Sequence, residues 1–278
     1  MIENPVYIIG YAHGGLTLLS NMLRRSPNFF TVSGKQGFGP DEGHNELHYY
    51  LPHYLRNPDG KGGSCWTYNV EDNHNTEESI TKGHRELYNR LINNICHEKD
   101  MRFLDKSQSY IIKMRYLQEL FNYTNCYFIF VARNPYVLAY KPRKFHSWYK
   151  DNKNKTDKDY ISNGCSHIMN NYKIFKDDAS HIKKLRIIKY EDLVLDTECI
   201  LRKACDFLDV DFIDDMVPHP PNNRKWYPIN KSLIWQHRLE KDRDFFATSE
   251  LDNIISIECS EYIKDMEYKE WYPADKHP

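Results

Sequence analysis

The 278-residue chain lacks the features that mark several common protein classes. It has no apolar stretch long enough to span a bilayer, and its N-terminus shows no basic region followed by an apolar one, so we expect neither a transmembrane helix nor a signal peptide. Its seven cysteines are odd in number and form no C-x-x-C pair, which argues against a zinc site or disulfide framework and for reduced thiols in a cytoplasmic protein. A net charge of −1 gives no indication of a nucleic-acid or membrane-surface binder.

The residues that are present predict an α/β fold. Hydrophobic residues make up 40% of the chain, enough for a sizeable core, and the length suits one large α/β domain or two small ones. Short continuous apolar runs predict strands, and apolar residues at helical spacing predict helices. The strands are predicted at Pro5–Gly10, Phe29–Ser33, Arg102–Asp105, Cys126–Ala132 and Leu185–Tyr190. The helices are predicted at Leu16–Arg25, at Glu77–Glu98, at 157–183, after Tyr190 to about Leu208, and near 249–265.

The alternation of strands and helices predicts a central, mostly parallel sheet flanked by helices, in three layers. Ligands bind such sheets at the carboxyl ends of the strands, where the segments 10–17, 104–107 and 132–141 are expected. Residues 56–76 are polar and contain glycines, which predicts a long surface loop or lid within the domain.

The loop between the first strand and the first helix has the pattern of an anion site. Residues Gly10 to Thr17 would place main-chain N–H groups at a helix N-terminus, whose dipole favours an anion. Gly14 and Gly15 permit close approach, and Thr17 adds a hydroxyl. An ordinary turn with two glycines is the alternative interpretation. A Walker A nucleotide site fits poorly, because Leu16 stands where that motif has its lysine.

Two later segments add further features: the first contains basic residues, and the second predicts a strand followed by a helix. Arg133 ends the clearest strand, Pro135 takes a favourable first helical position, and Lys141 would lie about two turns into that helix. The planar fork of Arg133 could bind a phosphate, although a surface arginine at a helix start is the default interpretation. The segment YEDL, residues 190–193, follows the last strand and on its own predicts architecture. The apolar positions of its helix are Leu195, Ile200, Leu201, Cys205 and Leu208.

Together these segments resemble the sulfotransferase family, whose sulfuryl donor is 3′-phosphoadenosine 5′-phosphosulfate (PAPS). The family's first motif, roughly G-x-P-[RK]-S-G-T-T-L-L, corresponds to residues 10–19, GYAHGGLTLL. Its R-[DN]-P motif, followed by a serine eight residues after the arginine, corresponds to Arg133-Asn134-Pro135, with Lys141 in the serine's place. The YEDL helix ends in FLD where the family has F-L-G. "FLDKSQSY" resembles the family's D/E-K-[TS]-P segment and places Lys106 on its lysine, so the resemblance spans residues 5–210 in order.

The resemblance implies a single P-loop-like enzyme domain over residues 1–278, without a metal. The enzyme would move a sulfuryl group from PAPS to a hydroxyl or amine of a small-molecule acceptor, giving adenosine 3′,5′-bisphosphate. The 5′-phosphosulfate would bind main-chain N–H groups of the first loop, namely those of Gly14, Gly15, Leu16, Thr17 and Leu18. Arg133 and Lys141 would clamp the 3′-phosphate, with Arg224 and Lys225 as further candidates.

Sulfuryl transfer needs a positive charge for the leaving group and a base for the acceptor's proton. In the family the basic residue of the first loop usually supplies the charge. Here His13 replaces it, and the dianionic sulfuryl donor would favour its protonated form, with Lys106 as auxiliary. For the base, the segment EGH at 42–44 resembles an EGQ-like segment of bacterial relatives. Glu42 is the first candidate and His44 the second, with a polar helix start as the structural alternative.

Three functional interpretations remain open in the sequence. The first is a PAPS-dependent sulfotransferase that acts on a small molecule. The acidic cluster Asp41, Glu42 and Glu46 would suit a cationic acceptor, which allows an enzyme that tailors secondary metabolites. Because the chain departs from the family motifs at three positions, a noncatalytic relative that binds a nucleotide is the second interpretation. A small-molecule P-loop kinase is the third, and the missing Walker lysine counts against it. No sequence pattern indicates an oligomeric state.

Overall fold

The computed structural model describes residues 2–31, 74–80, 83–95, 101–140, 156–217 and 249–268. Strands and helices alternate along the described chain. In order, the elements are β1 (Val6–Gly10), α1 (Leu16–Leu23), β2 (Phe29–Phe30), α2 (His84–Ile95), β3 (Arg102–Ser107), α3 (Met114–Leu120), β4 (Tyr127–Ala132), α4 (Pro135–Leu138), α5 (Asp157–Ala179), β5 (Lys184–Lys189), α6 (Tyr190–Leu195), α7 (Thr197–Leu208), α8 (Ser249–Glu258) and α9 (Ser260–Asp265). Short 3-10 turns lie at Glu77–Ser79, Gln108–Ile112 and Asp214–Met216.

The five described strands form one sheet in the order β2-β3-β1-β4-β5, and every neighbouring pair is parallel. The register places Gly10 beside Val131 and Ala132 beside Lys189, while β3 flanks β1 on its other side. Because all strands run in one direction, the stretches that follow β1, β3, β4 and β5 meet at the carboxyl end of the sheet. The predicted parallel sheet is confirmed, and this end is where ligands bind in such folds.

Apolar side chains cover both faces of the sheet. Along β1, Tyr7 and Ile9 face one layer, while Val6 and Ile8 face the other. The first layer contains α3, α5, α8 and α9, and the second contains α1, α6 and α7. This arrangement explains the continuous apolar run of β1, since a strand buried on both faces needs apolar residues at successive positions. The predicted three-layer α/β class is therefore confirmed.

The helix predicted at Glu77–Glu98 was wrong at its start. Glu77–Ser79 forms a 3-10 turn, and the Ile80 that follows has an extended conformation. Gly83 has a φ of +93°, a left-handed conformation that ends any helix running through it, so α2 begins only at His84. The helical spacing of Ile80 with later apolar residues was misleading because it ignored this glycine.

The single helix predicted after Tyr190 was also wrong, because it is two helices, α6 and α7, that meet at Asp196. Tyr190 opens α6 instead of ending the strand. Leu195, predicted to line the apolar face, is 45% exposed, since it ends the short helix and does not continue the stripe of the next one. The predicted apolar positions that are buried are Leu201, Cys205 and Leu208.

The remaining predicted elements have mixed outcomes. The long polar helix predicted at 157–183 is α5, and the helix predicted near 249–265 is divided into α8 and α9 at Cys259. The loop predicted at 56–76 lies outside the described residues except for 74–76, which have no regular secondary structure. The five cysteines in the described ranges are free thiols. Among the described helices, none has both the length and the apolar character needed to cross a membrane.

Candidate active site

The loop between β1 and α1 is a tight turn. The Gly14 N–H donates to the Tyr11 carbonyl oxygen at 2.9 Å, which closes the turn. His13 is exposed and has a φ of +60°, in the left-handed region that histidine adopts more readily than most residues. Gly15 has a φ of +99° and is the N-cap residue that precedes α1. The turn therefore exposes His13 at the carboxyl end of the sheet.

Two glycines fix the shape of this loop, because neighbouring atoms occupy the space of a side chain. A Cβ on Gly14 would lie 2.8 Å from the Tyr11 carbonyl oxygen, an atom of the loop itself. A Cβ on Gly15 would lie 2.2 Å from Cδ2 of Tyr190. Both distances are below 3.0 Å, which Cβ contacts in proteins essentially never show. A larger residue at position 14 would force the loop to move, and one at position 15 would force the loop or the Tyr190 ring to move.

The N-terminus of α1 leaves main-chain N–H groups for a ligand. Gly15 provides no side-chain cap, and the first turn has no acidic residue. In the part of the chain that the structure describes, the N–H groups of Gly15, Leu16 and Thr17 have no hydrogen-bond acceptor. The N–H groups of Gly14 and Leu18, predicted for the same role, donate to carbonyls of the loop. Unpaired N–H groups and the helix dipole together make such an end a suitable site for an anion.

Arg133 lies against the same loop. It follows the last residue of β4 and is only 7% exposed, so the default interpretation as a surface arginine was wrong. Its Cζ lies 4.1 Å from the centre of the Tyr190 ring, and its Nη1 donates to the carbonyl oxygen of His13. Its Nε is buried and has no partner among the described residues. The structure thus brings the predicted arginine and the predicted loop together.

A buried carboxylate supports the chain after Arg133. Glu191 is 3% exposed; its Oε1 accepts a hydrogen bond from the Asn134 N–H at 2.9 Å, and its Oε2 accepts one from the Tyr268 hydroxyl at 3.0 Å. Burial raises the pKa of Glu191, and the Asn134 N–H and the charge of Arg133 oppose that rise only in part. The Asn134 side chain accepts from the Tyr136 N–H at 2.9 Å and so begins α4, with proline at the predicted first position.

Lys106 lies near the end of β3, the strand next to β1, and is 8% exposed. It shares a face of the sheet with Leu104, which packs in the layer that contains α1. On the opposite face, the buried Asp105 accepts hydrogen bonds from the Lys106 N–H at 2.8 Å and the Tyr110 hydroxyl at 2.7 Å. The Lys106 side chain therefore lies on the same side of the sheet as α1. The predicted role of an auxiliary cation next to the loop between β1 and α1 requires this side.

The other predicted site residues lie outside the described residues, and their roles stay predictions. They are Glu42, His44, Lys141, Arg224 and Lys225. Within the described ranges, no group of three or more His, Cys, Asp or Glu side chains is placed to hold a metal ion.

Sequence reasoning missed the residues that hold Arg133 in place. Tyr190 and Glu191 were interpreted only as architecture, yet both contact the arginine segment. Their position directly after the strand next to β4 was the available signal, because residues that follow adjacent parallel strands meet in space. Tyr262 and Tyr268 had no local signal, since Tyr262 lies in a segment predicted only as a helix and Tyr268 lies beyond the end of that segment.

Comparison with known proteins identifies the class to which this arrangement belongs. A family model described as the sulfotransferase family matches residues 5–215, more than half of the chain. The chain therefore belongs to the sulfotransferase family, and the prediction of a sulfotransferase enzyme is confirmed. No curated protein matches the sequence.

Solved structures of the same fold cover nearly the whole chain. The sulfotransferase domain of the Synechococcus PCC 7002 olefin synthase is 19% identical with a TM-score of 0.58, covering 96% of each chain. The sulfotransferase domain of the curacin biosynthetic pathway is 17% identical with a TM-score of 0.57, covering 96% of this chain and 99% of that one. Mouse sulfotransferase SULT7A1 complexed with PAP is 13% identical with a TM-score of 0.52, covering 97% and 90%. At these identities the likeness establishes the fold.

Proposed function

We propose that this protein transfers a sulfuryl group from PAPS to a hydroxyl or amine of a small molecule and releases adenosine 3′,5′-bisphosphate. The observation that carries the proposal is the N-terminus of α1, where the N–H groups of Gly15, Leu16 and Thr17 have no acceptor in the described chain. A sulfotransferase needs an anion site for the phosphosulfate, and a helix N-terminus provides one without a metal.

The described residues support a site for each charged end of the sulfuryl donor. Gly15, Leu16 and Thr17 would hold the 5′-phosphosulfate, while Gly14 and Leu18 shape the loop through their own hydrogen bonds. The 3′-phosphate would accept a hydrogen bond from the Nε of Arg133, which is buried and has no partner among the described residues. Lys141, Arg224 and Lys225 are the further basic candidates for that phosphate.

The chain's own residues would supply the charge and the base of the reaction. PAPS, when bound, supplies a sulfuryl group joined to phosphate, and transfer leaves charge on the phosphate oxygen. His13, exposed on the turn, would donate a hydrogen bond to that oxygen, with Lys106 adding positive charge from the neighbouring strand. Glu42, with His44 as the second candidate, would accept the acceptor's proton.

The acceptor class is proposed from the acidic cluster Asp41, Glu42 and Glu46, which suits a cationic small molecule. Two structural relatives belong to an olefin synthase and to the curacin biosynthetic pathway, which supports a biosynthetic acceptor. The proposal also includes a single domain over residues 1–278 and a cytoplasmic location, the latter based on the cysteine pattern.

Two measurements test the proposal. Calorimetry compares binding of adenosine 3′,5′-bisphosphate with binding of ATP and magnesium, and sulfate-labelled PAPS is then offered with hydroxyl and amine acceptors, cationic ones first. Binding of the bisphosphate together with labelled acceptor supports a PAPS-dependent sulfotransferase. Binding of the bisphosphate without transfer to any acceptor class, or to water, would indicate the noncatalytic relative. A preference for ATP and magnesium would indicate a kinase.

A further inference from the structure

Two tyrosines from the end of the described chain reach the arginine segment of the site. Residues 249–268 lie beyond the family match, which ends at residue 215. Tyr262 of α9 and Tyr268 are nevertheless buried, 0% and 5% exposed. Burial raises the pKa of both phenols well above the ordinary value, so both remain protonated and can donate hydrogen bonds.

Where the sheet ends, the Tyr262 hydroxyl makes the main-chain hydrogen bonds that a neighbouring strand would otherwise make. The last pair between β4 and β5 joins Ala132 to Lys189, so the main chain of Arg133 has no strand partner there. The Tyr262 hydroxyl accepts from the Arg133 N–H at 3.1 Å and donates to the Arg133 carbonyl oxygen at 3.0 Å. One side chain therefore satisfies both polar groups of the arginine's main chain.

Tyr268 acts on the next residue through Glu191. Its hydroxyl donates to Glu191 at 3.0 Å, and the other oxygen of Glu191 accepts from the Asn134 N–H at 2.9 Å. The rings of Tyr262 and Tyr268 pack with their centres 5.9 Å apart. The Arg133 N–H, the Arg133 carbonyl oxygen and the Asn134 N–H are thus all hydrogen-bonded to the side chains of Tyr262 or Glu191.

We propose that Tyr262, assisted by Tyr268 through Glu191, is a positioning residue that sets Arg133 for the 3′-phosphate. The proposal rests on the proposed function, since it assigns the phosphate to Arg133. The main chain at Arg133 determines where its guanidinium can lie, between the Tyr190 ring and the His13 carbonyl. The segment 249–268 is then part of the site and not only a cover for the sheet.

The test compares two tyrosines that occupy the same cluster. Tyr262→Phe removes the hydroxyl that holds Arg133 and keeps the ring in the core. Tyr172→Phe is the matched control, because Tyr172 packs edge-on against Tyr262 at 5.0 Å but donates its hydroxyl to Asp265 at 2.9 Å. Both variants lose one hydroxyl, but Tyr262→Phe loses two hydrogen bonds to the main chain of Arg133, whereas Tyr172→Phe loses one hydrogen bond to Asp265.

Calorimetry then measures the affinity for adenosine 3′,5′-bisphosphate and for adenosine 5′-monophosphate, which lacks the 3′-phosphate. We expect Tyr262→Phe to weaken bisphosphate binding about tenfold and to leave monophosphate binding unchanged, since about one hydrogen bond's contribution to the 3′-phosphate site is lost. Tyr172→Phe should leave both affinities unchanged. If Tyr262→Phe fails to fold, Tyr268→Phe, which acts through Glu191, should show the same selective loss to a smaller degree.

The outcomes separate this inference from the proposed function. A wild-type protein that does not bind the bisphosphate would overturn both. A wild-type protein that binds it, together with a Tyr262→Phe variant of equal affinity, would overturn only the positioning role. Equal losses for both adenosine ligands, or the same loss in Tyr172→Phe, would show that Tyr262 does not act selectively on the 3′-phosphate site and would also overturn the positioning role.

Discussion

The guanidinium carbon of Arg133 lies 4.1 Å from the centre of the Tyr190 ring. The same ring stands 2.2 Å from the place of a Cβ on Gly15. Tyr190 thus contacts both parts of the site, the loop that would hold the phosphosulfate and the arginine that would hold the 3′-phosphate. A residue first interpreted as architecture therefore sets the spacing between the loop and the arginine, the two parts proposed to hold the charged ends of the nucleotide.

Arg133→Lys tests whether the shape of the side chain matters in addition to its charge. Lysine keeps the positive charge but loses the planar group on Tyr190 and the hydrogen bond to the His13 carbonyl. We expect affinity for adenosine 3′,5′-bisphosphate to fall about tenfold, or ~1.4 kcal/mol, by calorimetry. Arg186→Lys, a change on β5 where the guanidinium lies 6.0 Å from the Phe207 ring, is the control and should bind as wild type. Unchanged affinity in Arg133→Lys would contradict the proposed role.

Gly15→Ala tests the contact between the loop and Tyr190. Gly83→Ala is its matched control, because Gly83 has a similar φ of +93° and no atom of the described residues lies within 4 Å of an added Cβ. Left-handed strain should cost each variant about 1–2 kcal/mol of unfolding free energy. The clash with the ring should cost Gly15→Ala about 2 kcal/mol more, measured by urea unfolding. Equal losses of unfolding free energy in the two variants would show that the loop or the Tyr190 ring moves away from the added methyl group at no energetic cost.

His13→Asn tests the charge on the loop without disturbing its main chain. Asparagine tolerates the left-handed conformation but cannot carry the proton proposed for His13, so the turn is kept and the proposed charge is removed. At saturating PAPS we expect kcat to fall about 100-fold, with little change in bisphosphate affinity. His13→Lys should keep turnover and should also keep it at higher pH, where histidine loses its proton. Near wild-type turnover in His13→Asn would rule out this role for His13.

Glu191→Gln tests the buried carboxylate through the pH dependence of stability. Burial raises the pKa of Glu191 above its ordinary value of 4.5, so the folded protein holds this proton when the unfolded chain has already lost it. Wild-type stability should therefore be highest relative to the glutamine variant below pH 4.5. It should fall by up to ~1.4 kcal/mol per pH unit as the pH rises from there to the folded pKa.

The measurement is urea unfolding of wild type and Glu191→Gln between pH 4 and 8. Glu198→Gln is the control, because Glu198 is an exposed carboxylate on α7 that accepts hydrogen bonds from Arg202. Its unfolding free energy should change with pH as that of wild type does. Parallel curves for Glu191→Gln would mean that Glu191 ionises in the folded and unfolded chains alike.

The strands were predictable because their signal is local. The continuous apolar runs of β1 and β4 follow directly from burial on both faces, and the ligand segments follow from where parallel strands end. The helix starts were less predictable, because one residue decides them. Gly83 delays α2 and Asp196 divides the helix after β5, although the apolar spacing continues across both positions.

The site was predictable only in the parts that lie in sequence motifs. The glycine loop and Arg133 each follow a strand, so the chain itself indicates their place. The bond from Tyr262 to Arg133 joins residues 129 positions apart, and the bond from Tyr268 to Glu191 joins residues 77 apart. Such contacts depend on how α8 and α9 pack on the sheet, which no local pattern specifies.

The exposure of His13 has a consequence for how this enzyme can change over evolution. Gly14 and Gly15 are confined by surrounding atoms, whereas the histidine beside them faces solvent. A substitution that tolerates the left-handed φ of +60°, such as asparagine, can therefore remove the charge proposed for position 13 while the loop keeps its path. Under the proposed mechanism, the pH at which the enzyme works would then change through position 13 alone, separately from the residues proposed to hold the nucleotide.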